Sequence, residues 1–398
     1  GEPRHIPALD GLRGLAILLV VVNHFTQLPV HTAFDLYWRV LSSLGWIGVD
    51  LFFVLSGFLI TGILLDAKGS KHYFRNFYAR RVLRIFPLYY VVLAVSLFVL
   101  PRLLPLDKAQ RFASIAGDEI YYWLYLSNFA TAAAGRTRHG VLDVTWSLAI
   151  EEQFYLVWPT AVLFCSRQTL KRVAVALIGL SLAARVVLRL ATNVNAFSIY
   201  VLTPCHLDSI AMGVLIAVLA REPGGLARLQ RPAQLTAWLL GPATIAFAFT
   251  ETMVNPSEFG TGFSPIFNTI GFTLLAIDFG ALLILCRTAV PGSAIHSVFT
   301  AGWMRSLGQY SYGLYLVHLP IGALIRDRLF GPSSKSPRFV FPSLFGSEFP
   351  GQILYYLGAG AVAFGVAWLS FHLFERQFLK LKRFFPTARR TPARPAWS

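Results

Sequence analysis

Apolar runs of about 20 residues recur along the whole chain, separated by short polar stretches. A run of that length crosses the hydrocarbon core of a bilayer as a helix, because in lipid the backbone must satisfy its own hydrogen bonds. The pattern predicts an all-α fold, a polytopic transmembrane helical bundle. Spanning helices are expected at about 12–28, 44–65, 85–101, 146–165, 172–190, 199–220, 235–253, 264–287, 305–326 and 353–373, which makes ten. The run at 118–130 is shorter and is flanked by Gly117-Asp118-Glu119 and Ala134-Gly135-Arg136. It reads as a lid or re-entrant helix. The first run leads straight into further spans, so no cleavable signal peptide is expected.

Of the 398 residues, 14% are charged, well under the roughly 25% of soluble domains. No long polar segment exists to form a second soluble domain. The formal net charge is +16, but the cations sit between apolar runs, which argues for membrane topology and against nucleic-acid binding. With ten spans, the side holding both termini carries 23 Lys and Arg and the opposite side 10, with Arg185 and Arg189 inside a span. The bias predicts cytoplasmic termini. Counting 118–130 as an eleventh span would put the basic tail outside. The membrane domain is expected over 1–383, and 384–398 as a basic, disordered cytoplasmic tail. Cys165, Cys205 and Cys286 lie in or at the ends of apolar runs without a CxxC pair, and read as small buried hydrophobes. No metal site is expected.

Ionisable residues inside apolar runs are expensive and mark functional paths. The first run carries Asp10, Arg13 and His24. Arg13 and His24 are 11 residues apart, about three turns, so they share a helix face while lying ~16 Å apart along the axis. That face offers a fixed cation at one level and a titratable imidazole at another. A neutral imidazole is suited to take a hydroxyl proton near neutral pH; the plainer reading is a packing histidine.

Arg80-Arg81-Val82-Leu83-Arg84 is expected to begin the third helix at the inner face, with Arg81 and Arg84 on one side of it. Two guanidiniums there can hold a phosphate by forked hydrogen bonds, or anchor lipid headgroups. Asp50, in a stretch with Gly45, Gly48 and Gly57, is expected to orient His24 or to pair with a polar neighbour. The glycines also suit close helix packing. Glu151 and Glu152 are adjacent and point ~100° apart; Glu151, on the face of Ser147 and Tyr155, is the one expected in a site. Asp208 either serves a site or pairs with Arg185. Ser311, Tyr315 and His318 form a polar stripe with the same two readings. From expected depths, His24, Asp50, Glu151, Asp208 and His318 share the outer half of the membrane, and Arg13, Arg81 and Arg84 the inner face.

The stretches LDGLRGLAILLVVVNH, GVDLFFVLSGFLI, RRVLRIFPLYY, WSLAIEEQFYLVWP, YSYGLYLVHLP and FERQFLKLKR, in this order from Leu9 to Arg383, together resemble the integral-membrane acyltransferase-3 family. That family includes O-acetylases of peptidoglycan, lipopolysaccharide, Nod factors and macrolides. Its Arg-x10-His falls on Arg13 and His24, its Arg-x-x-Arg on Arg81 and Arg84, and its WSL-x-x-E glutamate on Glu151. The family usually has Arg where His206 stands and Pro where Gln377 stands. Some members also carry a C-terminal hydrolase-like domain, which is not expected here.

The resemblance implies transfer of an acyl group, usually acetyl from acetyl-CoA, to a hydroxyl of a carbohydrate, glycolipid or glycoside acceptor at the bacterial inner membrane. On this reading Arg13, Arg81 and Arg84 bind the donor. His24, Asp50 and Glu151 are catalytic, and His24 acts as general base or is itself acylated. Asp10, Ser147, Tyr155, Asp208, Tyr315 and His318 serve the acceptor or the structure. The rival class is a transporter or flippase without chemistry.

Overall fold

Pro7 opens the first helix. Its ring presets φ, and its missing N–H falls among donors that a helix start leaves unpaired anyway. The computed structural model describes residues 6–103, 117–137, 140–254, 264–330 and 343–386. Within them the chain is mostly helical, without a named strand. The principal helices are α1 (Pro7–Phe25), α2 (Ala33–Ser43), α3 (Gly48–Ala67), α4 (Tyr73–Ala94), α5 (Thr145–Phe164), α6 (Arg167–Ala191), α7 (Leu207–Leu219), α8 (Phe272–Thr288), α9 (Gly302–Gln309), α10 (Ser311–Phe330) and α11 (Phe349–Ser370).

Seven of the described helical stretches are long and apolar enough to cross a membrane: Pro7–Phe25, Ala33–Ala67, Tyr73–Arg102, Arg167–Ala191, Ala227–Val254, Phe267–Thr288 and Phe349–Phe384. The remaining expected spans fall on α5, on α7 with the turn before it, and on α9 and α10, which are separate helices that meet at Tyr310. Leu156, Trp238, Leu239 and Leu357 point outward, each at least 66% exposed. Such an apolar belt belongs against lipid. The chain is an all-α membrane bundle.

α1 lies at its centre, packed on α3, α9 and α10, with Leu12, Ala16, Ile17 and Val20 fully buried. The α1 terminus that carries His24 is tied down. The buried Gln352 of α11 donates to the Phe25 carbonyl at 2.9 Å and accepts from the Gln27 amide at 2.8 Å. The Thr26 hydroxyl meets that of Tyr356 at 2.6 Å. These bonds satisfy groups a helix end otherwise leaves open.

α3 and α7 touch backbone to backbone. A Cβ on Gly57 would stand 2.0 Å from the Ile210 carbonyl oxygen, and one on Gly213 2.0 Å from that of Val54. Only glycine permits that approach.

Three expectations need correction. The third helix begins at Tyr73, not at Arg80. Its first turns carry Arg, Asn and Tyr, so hydropathy conceals them. They are held by Tyr73 donating to the Pro159 carbonyl at 3.0 Å and Tyr78 to that of Leu156 at 2.8 Å. The stretch 33–43, which lies outside every expected span, is the amphipathic helix α2, started by a Thr32–Asp35 capping box. The stretch 118–130 holds two short helices, Glu119–Trp123 and Ser127–Ala134, broken at Tyr125, whose φ is 55°. The stretch 199–220 is likewise broken, into Ala196–Val201, a tight turn at Thr203–His206 containing Pro204, and α7.

Of the expected C-terminal tail, 387–398 lies outside the described residues. The chain before it is strapped to α4: Arg80 donates to the Phe385 carbonyl at 3.0 Å, and Asn76 to that of Pro386 at 2.8 Å.

Candidate active site

The early start of α4 decides the position of its arginines. Arg81 and Arg84 lie about 12 and 16 Å along the helix from Tyr73, inside the bundle and not at its inner rim. There they line a cavity of about 820 Å³, part of it open to the outside, between α1, α3, α4, α5 and α10. Arg13 of α1, Glu151 and Tyr155 of α5, Ser56 of α3 and Tyr315 of α10 share the lining.

Arg13 has a long contact of 3.5 Å to Asp10, one turn back. The Arg81 guanidinium lies over the Tyr155 ring at 5.9 Å. Among the described residues neither Arg81 nor Arg84 has a hydrogen-bond or ion-pair partner. Guanidiniums gathered in one pocket repel each other, and half-buried charge is costly until it is paired. An anion with several oxygens would satisfy them.

Glu151 sits among these cations and not at a separate outer level. Its two oxygens accept from Ser56 Oγ at 2.9 Å and from the Tyr155 hydroxyl at 2.8 Å. The two hydroxyls are 2.7 Å apart, closing a three-residue network. Ser147 Oγ and the Tyr315 hydroxyl meet at 2.6 Å.

The histidine of α1 has a different neighbour from the expected carboxylates. His24 Nδ1 lies 3.1 Å from His318 Nε2 of α10, and their ring centres are 5.0 Å apart. His318 is fully buried. Its Nδ1 lies 2.8 Å from the Tyr315 carbonyl and 3.1 Å from that of Leu314. The Tyr315 ring, which lines the cavity, is 5.8 Å from that of His318. Asp143, just before α5, acts electrostatically on the His24 ring. Sequence reasoning passed Asp143 over, because it lies outside the expected spans and nothing in the spacing ties it to α1.

The structure does not join Asp50 to His24. Asp50 is fully buried; its Oδ1 accepts from Ser209 Oγ at 2.9 Å and meets His206 Nδ1 at 3.3 Å. His206 in turn reaches the Tyr200 carbonyl. The pair stands at the α3–α7 contact, where Gly57 and Gly213 bring the two helices together. His206, where the family usually has Arg, thus supplies the partner for Asp50.

Asp208 takes the structural alternative. Arg185, fully buried, donates to Asp208 Oδ2 at 2.7 Å, Thr273 Oγ1 at 2.6 Å, Ser181 Oγ at 3.0 Å and the Thr269 carbonyl at 2.8 Å. The five outer-layer residues therefore separate into a histidine pair, two core networks and a cavity carboxylate. No group of three or more His, Cys, Asp or Glu that could hold a metal occurs among the described residues.

Comparison with known proteins agrees with this architecture. A family model described as an acyltransferase domain, acyltransferase-3, matches residues 6–372. The Bacillus subtilis protein YrhL is 30% identical over 80% of this chain and 49% of its own length. Peptidoglycan O-acetyltransferase OatA of Listeria monocytogenes is 28% identical over 80% of this chain and 49% of its own. O-acetyltransferase OatA of Staphylococcus aureus is 29% identical over 80% and 51%. The chain spans about half the length of the curated relatives it matches. No solved structure matches it significantly.

Proposed function

The chain belongs to the acyltransferase-3 family, and from that premise we propose that it is a membrane O-acetyltransferase acting on a hydroxyl of a cell-envelope glycan. The names of the three relatives, all O-acetyltransferases and two of them specified for peptidoglycan, support the glycan acceptor. The donor in this reading is acetyl-CoA.

The observation that carries the donor assignment is the cavity with three guanidiniums, two of them without hydrogen-bond partners among the described residues. Arg13, Arg81 and Arg84 would hold the phosphates, in forks that match phosphate oxygens. Bound acetyl-CoA would supply a thioester, whose carbonyl carbon is open to attack by oxygen. Apolar residues of α3, among them Phe52, Leu55 and Leu59, suit a largely uncharged arm. Glu151, its oxygens held by Ser56 and Tyr155, fixes the Tyr155 ring under Arg81 and keeps the cavity from being wholly cationic.

His24 is the base. Its bare ring nitrogen takes the proton of the acceptor hydroxyl as that oxygen forms a bond to the acetyl carbon. The carbon–sulfur bond breaks, and the imidazolium returns the proton to the departing thiolate. Asp143 is placed to offset the imidazolium charge. Ten spans with cytoplasmic termini put the arginines on the donor side and His24 toward the outer side, where a glycan acceptor is found.

The test is incubation of purified protein in nanodiscs with radiolabelled acetyl-CoA and a panel of peptidoglycan, lipopolysaccharide and small glycoside acceptors. Label on an acceptor hydroxyl supports the reading. Binding of acetyl-CoA without transfer to any acceptor would favour a transporter.

A further inference from the structure

His318 carries chemical information that its burial alone does not. Its Nδ1 faces two backbone carbonyls, Tyr315 at 2.8 Å and Leu314 at 3.1 Å. A carbonyl oxygen only accepts, so the proton of the neutral His318 ring is on Nδ1. Its Nε2 is then bare and can only accept. The group facing that nitrogen is His24 Nδ1, at 3.1 Å, which must therefore donate. In a neutral imidazole one nitrogen is protonated and the other is not. His24 Nε2 is thereby left with a free lone pair.

We propose that His318 is the positioning residue of the site, fixing the His24 ring in the tautomer whose Nε2 is the base. A carbonyl–histidine–histidine chain thus does here what a carboxylate does in a Ser-His-Asp triad. When His24 Nε2 takes a proton, the Nδ1–H bond to His318 becomes charge-assisted and strengthens. The proton stays on His24, and His318 keeps its own on Nδ1. The burial of His318 excludes water that could offer the competing donor. This inference rests on the reading of His24 as base, but it also makes a claim about the resting protein that needs no turnover.

The test begins with nitrogen NMR of protein labelled in its histidine rings, held in nanodiscs slightly above neutral pH. His24 is assigned by loss of its signals in His24→Gln. Protonated Nδ1 and bare Nε2 on His24 are expected in the resting enzyme, and a proton on His24 Nε2 would overturn the proposal. In His318→Leu, which cannot accept, the Nε2–H form should become populated. Turnover should fall ~10²-fold or more, within the range set by a positioned base, while the KM for acetyl-CoA stays within about twofold. His318→Gln places an accepting oxygen near the Nε2 position and should recover turnover to within about tenfold of wild type and restore the Nδ1–H form. A folded His318→Leu with unchanged tautomer would defeat the assignment. If instead His24→Gln itself turns over normally, the general-base reading fails, whatever the tautomer.

Discussion

Ser147 Oγ and the Tyr315 hydroxyl lie 2.6 Å apart, joining α5 to α10 on the cavity wall. The Tyr315 hydroxyl also donates to the Val144 carbonyl at 3.2 Å. Tyr315 belongs to two environments: its ring lines the arginine cavity and lies 5.8 Å from the ring of His318, tilted by 47°. Tyr315→Phe keeps the ring and deletes these bonds, while Ser147 retains the Val144 carbonyl at 3.1 Å. A stability loss of about 1 kcal/mol is expected, read as a lowered unfolding midpoint in detergent. Acetyl-CoA affinity should be unchanged, since the phosphate-facing arginines are untouched.

Donor affinity should depend on α4. Arg81→Ala and Arg84→Ala are each expected to weaken acetyl-CoA binding by ~1.5–3 kcal/mol, the worth of a hydrogen bond to a charged group. Lysine at either position should recover only part, because it lacks the fork. Titration calorimetry on the purified protein measures this. Unchanged affinity in both alanine variants would mean the cluster serves another anion.

His24→Ala should abolish transfer yet leave acetyl-CoA binding close to wild type, because Arg13 lies ~16 Å away along α1. A positioned base contributes 10²–10⁴-fold in rate. His24→Gln keeps a hydrogen-bonding group but cannot carry the proton, and should be nearly as slow. A single-turnover assay with bound donor separates this loss from a loss of affinity.

The Arg185–Asp208 pair should report on stability. Both side chains are fully buried, and removing one partner strands the other charge. Asp208→Ala is expected to cost about 3–5 kcal/mol, and adding Arg185→Met should recover part of it. Thermal unfolding of the single and double variants gives the comparison. A larger loss in the double variant would contradict the account.

Topology is open to chemical labelling. In a background without Cys165, Cys205 and Cys286, a cysteine at position 136 should react with an impermeant maleimide added outside intact cells. One placed at position 75, in the first turn of α4, should not. The reverse pattern would invert the assigned orientation.

Much of the bundle was legible in the chain itself. Each apolar run of membrane-spanning length must be helical, because lipid offers its backbone no other partner. The shared face of Arg13 and His24 follows from the fixed rise and turn of one helix, and six motifs in order brought the family into view. Partners between helices were not legible, because they depend on how helices pack and where each one starts. Asp50 faces His206 and not His24, because Gly57 and Gly213 press α3 onto α7. Arg81 and Arg84 line the cavity beside Glu151, because aromatic residues begin α4 at Tyr73 where hydropathy shows nothing. His318, 294 residues from His24 along the chain, becomes its partner only through the packing of α10 on α1.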